Sequence, residues 1–289
     1  MLGALVKRFA HPPEGIVLGV NWWVMRIALP ALVLARVPEI KLDAHLWFPV
    51  AAMWLTFFGA WALFALLGRV WHWPKHRVGA LALVAGFGNT SFMGYPIMQA
   101  LHGSPGLALA VVADQVGSFP LLAAGGVLVA SLSAGSQVRP GIIARNLLAF
   151  PSFIALFVAL AVGGLGGWPK AVGDTLNAIG GTMTPLSLFS VGMQFQLRMK
   201  SSQIAPLSAA LGWKLLLAPL LTWALGHAIG VGGLTLTVSV LQAGMAPMIS
   251  AAILADQYKL DPPLANTVLG AGILLSMISV PLWNLGLAG

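Results

Sequence analysis

The chain is 289 residues long, 58% hydrophobic and only 8% charged, with 34 glycines and no cysteine, and its mean hydropathy is +0.90. No soluble core needs that much apolar sequence, so the composition points to a polytopic helical membrane protein. The lack of cysteine excludes disulfides, thiolate metal sites and thiol nucleophiles, and the net charge of +8 reads as membrane topology and not as nucleic-acid binding.

A helical span needs about 20 apolar residues, and nine segments qualify: 17–35, 47–68, 79–102, 107–132, 142–165, 171–195, 206–229, 235–257 and 264–286. The loops between them are short, so the expected fold is an all-α polytopic protein forming a single membrane domain over 1–289. The first segment contains Arg26 and lacks a cleavage region, which makes it a retained span and not a signal peptide. The third carries GFGNTSFMGYP, residues 86–96, an unusually polar and glycine-rich run. Proline lacks a donor and clashes one turn back, so the helix is expected to break or kink at Pro96. Lipid tolerates such a break only where backbone is packed in protein or lines a wet cavity. The fourth segment holds Asp114 and Gln115 in AVVADQVGSFP, the seventh Lys214 in GWKLLLAP, and the eighth a second break signal, LQAGMAPM, with Gln242, Gly244 and Pro247.

Basic residues divide unevenly between the two sides. Lys7, Arg8, Arg69, Lys75, Arg77, Arg139, Arg145, Arg198, Lys200 and Lys259 fall on one side, against Arg36, Lys41 and Lys170 on the other. Ten against three puts the N-terminus in the cytoplasm and the C-terminus outside, in the cell membrane. Many tryptophans, among them Trp22, Trp47, Trp71, Trp73, Trp168 and Trp283, fall near span ends, where amphipathic rings settle.

Local matches recur in one order. LPALVLA at Pro30 pairs with TPLSLFS at Pro185, WALFALLG at Trp61 with WALGHAIG at Trp223, Pro96 with Pro247, and PLLAAG at Pro120 with PLWNLG at Pro281. The offset of five spans is odd, so paired spans cross in opposite directions, giving an inverted repeat. The fifth span has no mate, which fits a five-plus-five plan with the first helix missing.

The runs GFGNTSFMGYP, AGMAPMISAAILADQY, LPALVLA and TPLSLFSVG together resemble the auxin efflux carrier family of membrane transport proteins. That resemblance implies a fold like those of bile-acid symporters and sodium/proton antiporters, with two discontinuous helices crossing and a transport unit moving against a scaffold. Scaffold spans would lie near 17–35, 142–165 and 171–195, and transport spans near 47–132 and 206–286. A Gln in the matching helix of that family helps line the substrate pocket, which favours Gln115 as a lining residue.

Half-helix N-termini at the breaks attract anions. The expected substrate-binding set is therefore Asn89, Gly94, Pro96, Gln115, Gln242, Gly244 and Pro247, with Gly94 and Gly244 letting the two backbones approach closely. Asn89 and Gln242 either meet the ligand or bond freed carbonyls, and both readings stand. Asp114 is the expected proton or ion coupling group, because a carboxylate inside a span usually serves ions, protons or substrate; the alternative is pairing with a basic residue near a membrane face. Arg26 and Lys214 are either counter-charges for an anion or long side chains that snorkel to the interface, the favoured reading. Asp256 and Asp261, at the inner end of the eighth segment, are expected to be solvated.

No HExxH, GxxxxGK[ST] or GxSxG motif occurs, so neither metal, cofactor nor enzyme activity is expected. The expected function is secondary transport of a small organic anion, a carboxylate, by elevator-type alternating access. The expected partners are that anion, the bilayer and a second copy in a homodimer, without nucleic acid. A sodium-coupled symporter is the nearest alternative, followed by a non-transporting receptor and an intramembrane enzyme.

Overall fold

The computed structural model describes residues 12–39, 45–137, 148–194 and 203–287, with a few isolated positions besides. Lys7, Arg8, Lys41, Arg139, Arg145, Arg198 and Lys200 of the charge count, and the first part of segment 142–165, lie outside the described residues. All regular elements among those described are helical.

The chain runs through α1 (Ile16–Glu39), α2 (Trp47–Val70) and α3 (Lys75–Gly86). Next comes an apolar helical stretch, Thr90–Ala134, that divides at Gly103 into α4 (90–102) and α5 (104–134). Then follow α6 (Pro151–Gly164), α7 (Lys170–Gly181), α8 (Met183–Gln194) and α9 (Ile204–Ala228). The chain closes with α10 (Gly233–Ala243), α11 (Ile249–Gln257) and α12 (Pro262–Leu287). Five stretches, α1, α2, α4 with α5, α9 and α12, are long and apolar enough to cross a membrane.

Gly103 reverses the chain. Its backbone (φ 62°, ψ −156°) lies in a region open only to glycine. A straight helix would hold Tyr95 and Asp114, 19 residues apart, about 28 Å from one another, yet the Tyr95 hydroxyl donates to Asp114 Oδ2 at 2.9 Å.

α3 is enclosed on every side from Gly79 to Gly86. A helix apolar all round belongs in the interior of such an assembly. Elsewhere large apolar side chains stand exposed, among them Phe157 on α6, Leu216 and Leu217 on α9, and Ile278, Leu282 and Leu285 on α12. Apolar surface on that scale suits lipid and not water. One end of the bundle gathers Arg77, Ser131, Tyr258 and Asp261 through the pairs Arg77–Asp261 (2.9 Å) and Ser131–Tyr258 (3.4 Å). The opposite end joins His102 to Asn284 at 2.8 Å.

Four helices loosen into a π turn that ends two residues before a proline. The turns are Val24–Ala28 before Pro30, Thr90–Gly94 before Pro96, Ala113–Ser118 before Pro120, and Trp213–Leu217 before Pro219. The wider turn relieves the clash of the proline ring with the carbonyl four residues back. The carbonyl that Pro219 would have bonded, that of Leu215, accepts the Trp283 indole N–H at 2.9 Å.

This corrects the expectation for Pro96, which sits inside a continuing helix. The third segment breaks seven residues earlier, at Phe87–Asn89, between α3 and α4. Segment 171–195 is likewise two helices, parted at Thr182.

Candidate functional site

α3 gives way at Phe87, whose backbone is extended (φ −107°, ψ 129°). α10 gives way at Gly244, and the chain is extended again at Met248 (φ −79°, ψ 131°). The two interruptions run antiparallel with Gly88 opposite Pro247. Asn89 N–H donates to the Ala246 carbonyl at 2.7 Å and Met248 N–H to the Phe87 carbonyl at 3.0 Å. Each break thereby satisfies the other's backbone, which lipid would leave unpaired at several kcal/mol per group. Gly88 and Pro247 form the pair between these two bonds, where neither residue donates its own N–H across. Proline therefore fits there without loss.

On one side of this crossing lies a closed polar network. Asp114 accepts hydrogen bonds from the Thr90 hydroxyl, from the Tyr95 hydroxyl at 2.9 Å and from Gln115 Nε2 at 2.8 Å. All four groups are buried. Gln242 Nε2 donates to the Thr90 carbonyl at 3.3 Å, and Asn89 Oδ1 accepts the Phe92 N–H at 3.2 Å, capping α4. Four buried side-chain atoms around the crossing have no hydrogen-bond partner among the described residues: Asn89 Nδ2, Gln115 Oε1, Gln242 Oε1 and Lys214 Nζ. Buried polar groups are normally paired, so these atoms stand out as unused hydrogen-bonding capacity.

A cavity of about 160 Å³ adjoins the network. Ser91 and Phe92 reach it from the start of α4, Met248 and Ser250 from the start of α11, and Asp114 and Gln115 from α5, while Met25, Leu29 and Phe150 close it on the side of α1 and α6. α11 begins without a capping side chain, so its first N–H groups remain available at the positive end of the helix dipole. Two further cavities lie between α1 and the crossing helices. One of about 770 Å³ is lined by Ile16, Asp256 and Asn266. The other, of about 220 Å³, is lined by Arg36, Gln99 and Asn177 toward the opposite end.

The profile of the family described as Membrane transport protein matches residues 13–284. The chain belongs to that family, the auxin efflux carrier family. It is 26% identical over 288 residues to an uncharacterized transporter of Methanothermobacter thermautotrophicus, covering 98% of this chain and 93% of the relative. An uncharacterized transporter of Methanocaldococcus jannaschii is 24% identical over 293 residues, covering 98% and 94%.

In this family member the residues singled out from sequence do not all sit together. Asn89, Gln242 and Pro247 are at the crossing, and Asp114 and Gln115 lie beside it. Pro96 is one turn and more away along α4. At Gly94 an added Cβ would come within 2.3 Å of Gln242 Oε1, so the missing side chain admits Gln242. Gly244 faces Pro219 of α9 instead of the other broken helix, its Cβ position 3.3 Å from that ring. Gly88 and Gly272 are also tightly packed at the crossing, an added Cβ on the latter falling 2.3 Å from the Pro247 ring. Asp114 has hydroxyl and amide partners and, among the described residues, no basic one.

Lys214 is the larger departure. It does not snorkel: it is fully buried, and its Nζ has no hydrogen-bond partner among the described residues. A Cβ on Gly88 would lie 2.9 Å from that Nζ, which places the amine against the crossing, on a helix whose ends are ten and more residues away. A readable signal was present, since Ser91, Gln115 and Lys214 each stand five residues before the proline of a π turn. Arg26, by contrast, is exposed. Asp256 is exposed, whereas Asp261 is largely covered and paired with Arg77.

Proposed function

We propose that this protein is a secondary transporter that carries a small organic anion, a carboxylate, by elevator-type alternating access, with Asp114 as the proton-carrying group. The observation that carries the reading is the crossing of the two helix breaks, tied by Asn89 N–H to Ala246 and Met248 N–H to Phe87, beside a cavity that collects two helix N-termini and the free oxygen of Gln115. Broken helices meeting in the interior are a device for binding charged substrates in transporters. In this reading the chain crosses nine times as an inverted repeat, with the N-terminus inside. α1, α6, α7 and α8 form the scaffold, and α2–α5 with α9–α12 form the moving unit. Three cavities at different depths between α1 and the crossing helices are in keeping with such a sliding boundary.

Sodium-coupled symport is the second reading, favoured by the unpartnered oxygens of Gln115 and Gln242. Thermal unfolding of the detergent-purified protein against small carboxylates, with and without sodium, tests both, because a ligand that binds the folded state stabilises it by mass action. A shift from carboxylates that disappears in Gln115→Leu supports anion transport. A shift from sodium alone moves the assignment to the cation.

A further inference from the structure

We propose that protonation of Asp114 turns over the Gln115 carboxamide and thereby converts the central cavity from one that rejects an anion into one that holds it, so that one proton crosses with each anion. The inference rests on the organic-anion reading above and adds the rule by which proton and anion are joined.

The cavity presents contradictory chemistry as it stands. Two helix N-termini and the Ser91 and Ser250 hydroxyls favour an anion, but the polar side chains that α5 contributes are the Asp114 carboxylate and Gln115, whose carbonyl oxygen is unpartnered among the described residues. Gln115 Nε2 is committed to Asp114 Oδ2 at 2.8 Å, which leaves Oε1 of this cavity-lining residue buried and without a partner among the described residues. While Asp114 is ionised the amide has no second orientation, since turning it over would press its oxygen against the carboxylate. The Asp114–Gln115 side of the wall then offers only acceptors, and two carboxylates confined in one enclosed site do not both stay ionised.

A proton on Asp114 Oδ2 reverses each of these conditions. The carboxyl group becomes a donor and bonds Gln115 Oε1, the amide turns, and both hydrogens of Nε2 face the cavity as donors for an incoming carboxylate. The remaining bonds of Asp114 survive the change. Tyr95 still donates to the free lone pair of Oδ2 and Thr90 to Oδ1.

Among the described residues no other charge neutralises Asp114 in its place. Of the elements packed on its turn, α4 contributes Tyr95, with His102 at its far end, α2 carries only Arg69 at its far end, and α6 has no titratable side chain. Arg26 on α1 is exposed, and Lys214 lies across the crossing against Gly88.

The test is calorimetric titration of the detergent-purified wild-type chain with acetate, lactate and benzoate, all ionised from about pH 6 to about pH 8. Buffers of differing ionisation heat report the protons taken up. The expected result is one proton per carboxylate bound and an affinity falling about tenfold per pH unit on the alkaline side. Asp114→Asn is expected to bind with no proton uptake and no pH dependence, and Gln115→Leu to lose binding at either pH. Should the Asn variant fail to fold, the wild-type proton count decides alone. Wild-type binding without proton uptake overturns this inference and leaves the anion reading standing. No binding of any of the three at either pH removes both.

Discussion

The two helix breaks do the same geometric job with different materials. The first, Phe87–Asn89, is held by side chains: Asn89 caps α4, Thr90 reaches Asp114, and Gln242 from the other broken helix bonds the Thr90 carbonyl. The second, Gly244–Met248, is held by shape, with the Pro247 ring against Gly272, Gly244 against Pro219, and no capping side chain for α11. One crossing thus has a polar half that responds to hydrogen-bonding chemistry and an apolar half whose N–H groups at the start of α11 carry no side-chain cap.

If that division is right, deletions of polar groups damage the first break and additions of volume damage the second, as measured by unfolding of the purified protein. Asp114→Ala has the largest effect, because it strands the donors of Thr90, Tyr95 and Gln115, each at about 1–3 kcal/mol. Gly272→Val comes next. Its Cβ meets a proline ring that cannot swing aside, so the overpacking costs about 1–3 kcal/mol, and a thermal midpoint equal to wild type would show that the second break is not held by packing. Gly94→Ala sharpens the contrast, since at the same 2.3 Å it meets the tip of Gln242. That side chain moves away and gives up one hydrogen bond, for about 1 kcal/mol. Asn89→Ala removes the α4 cap for about 1 kcal/mol, whereas Met248→Leu, at the uncapped end, is nearly neutral. Lys214→Met has the smallest effect on stability, unchanged or slightly raised, because the amine it removes is buried without an acceptor. In proteoliposomes the same variant is expected to lose carboxylate flux, and intact flux would leave Lys214 without a part in transport.

Segment lengths and apolarity made the helices legible, and the polar run at 86–96 marked the neighbourhood of the first break. Its location was not legible. Pro96 is the strongest helix breaker in the run, but a π turn absorbs it, while the actual interruption is set by pairing with residues about 160 positions away. Lys214 was misread for a related reason. Stem length decides whether a lysine can snorkel, but burial is decided by α3, α10 and α12 closing over it, which no single segment encodes. Asp114 and Gln115 announced themselves as polar groups in an apolar helix. Their bonds to Tyr95 and Thr90 depend on the reversal at Gly103, which brings α4 back alongside α5.

The bonds from Asn89 N–H to Ala246 and from Met248 N–H to Phe87 also set a kinetic rule. They stitch two sequence-distant, buried segments, and neither helix can slide past the other without rupturing both. Deuterium therefore reaches these two amides only when the whole bundle opens, at the rate of global unfolding and not of turnover. In the proposed elevator cycle both segments would travel as a single stitched body.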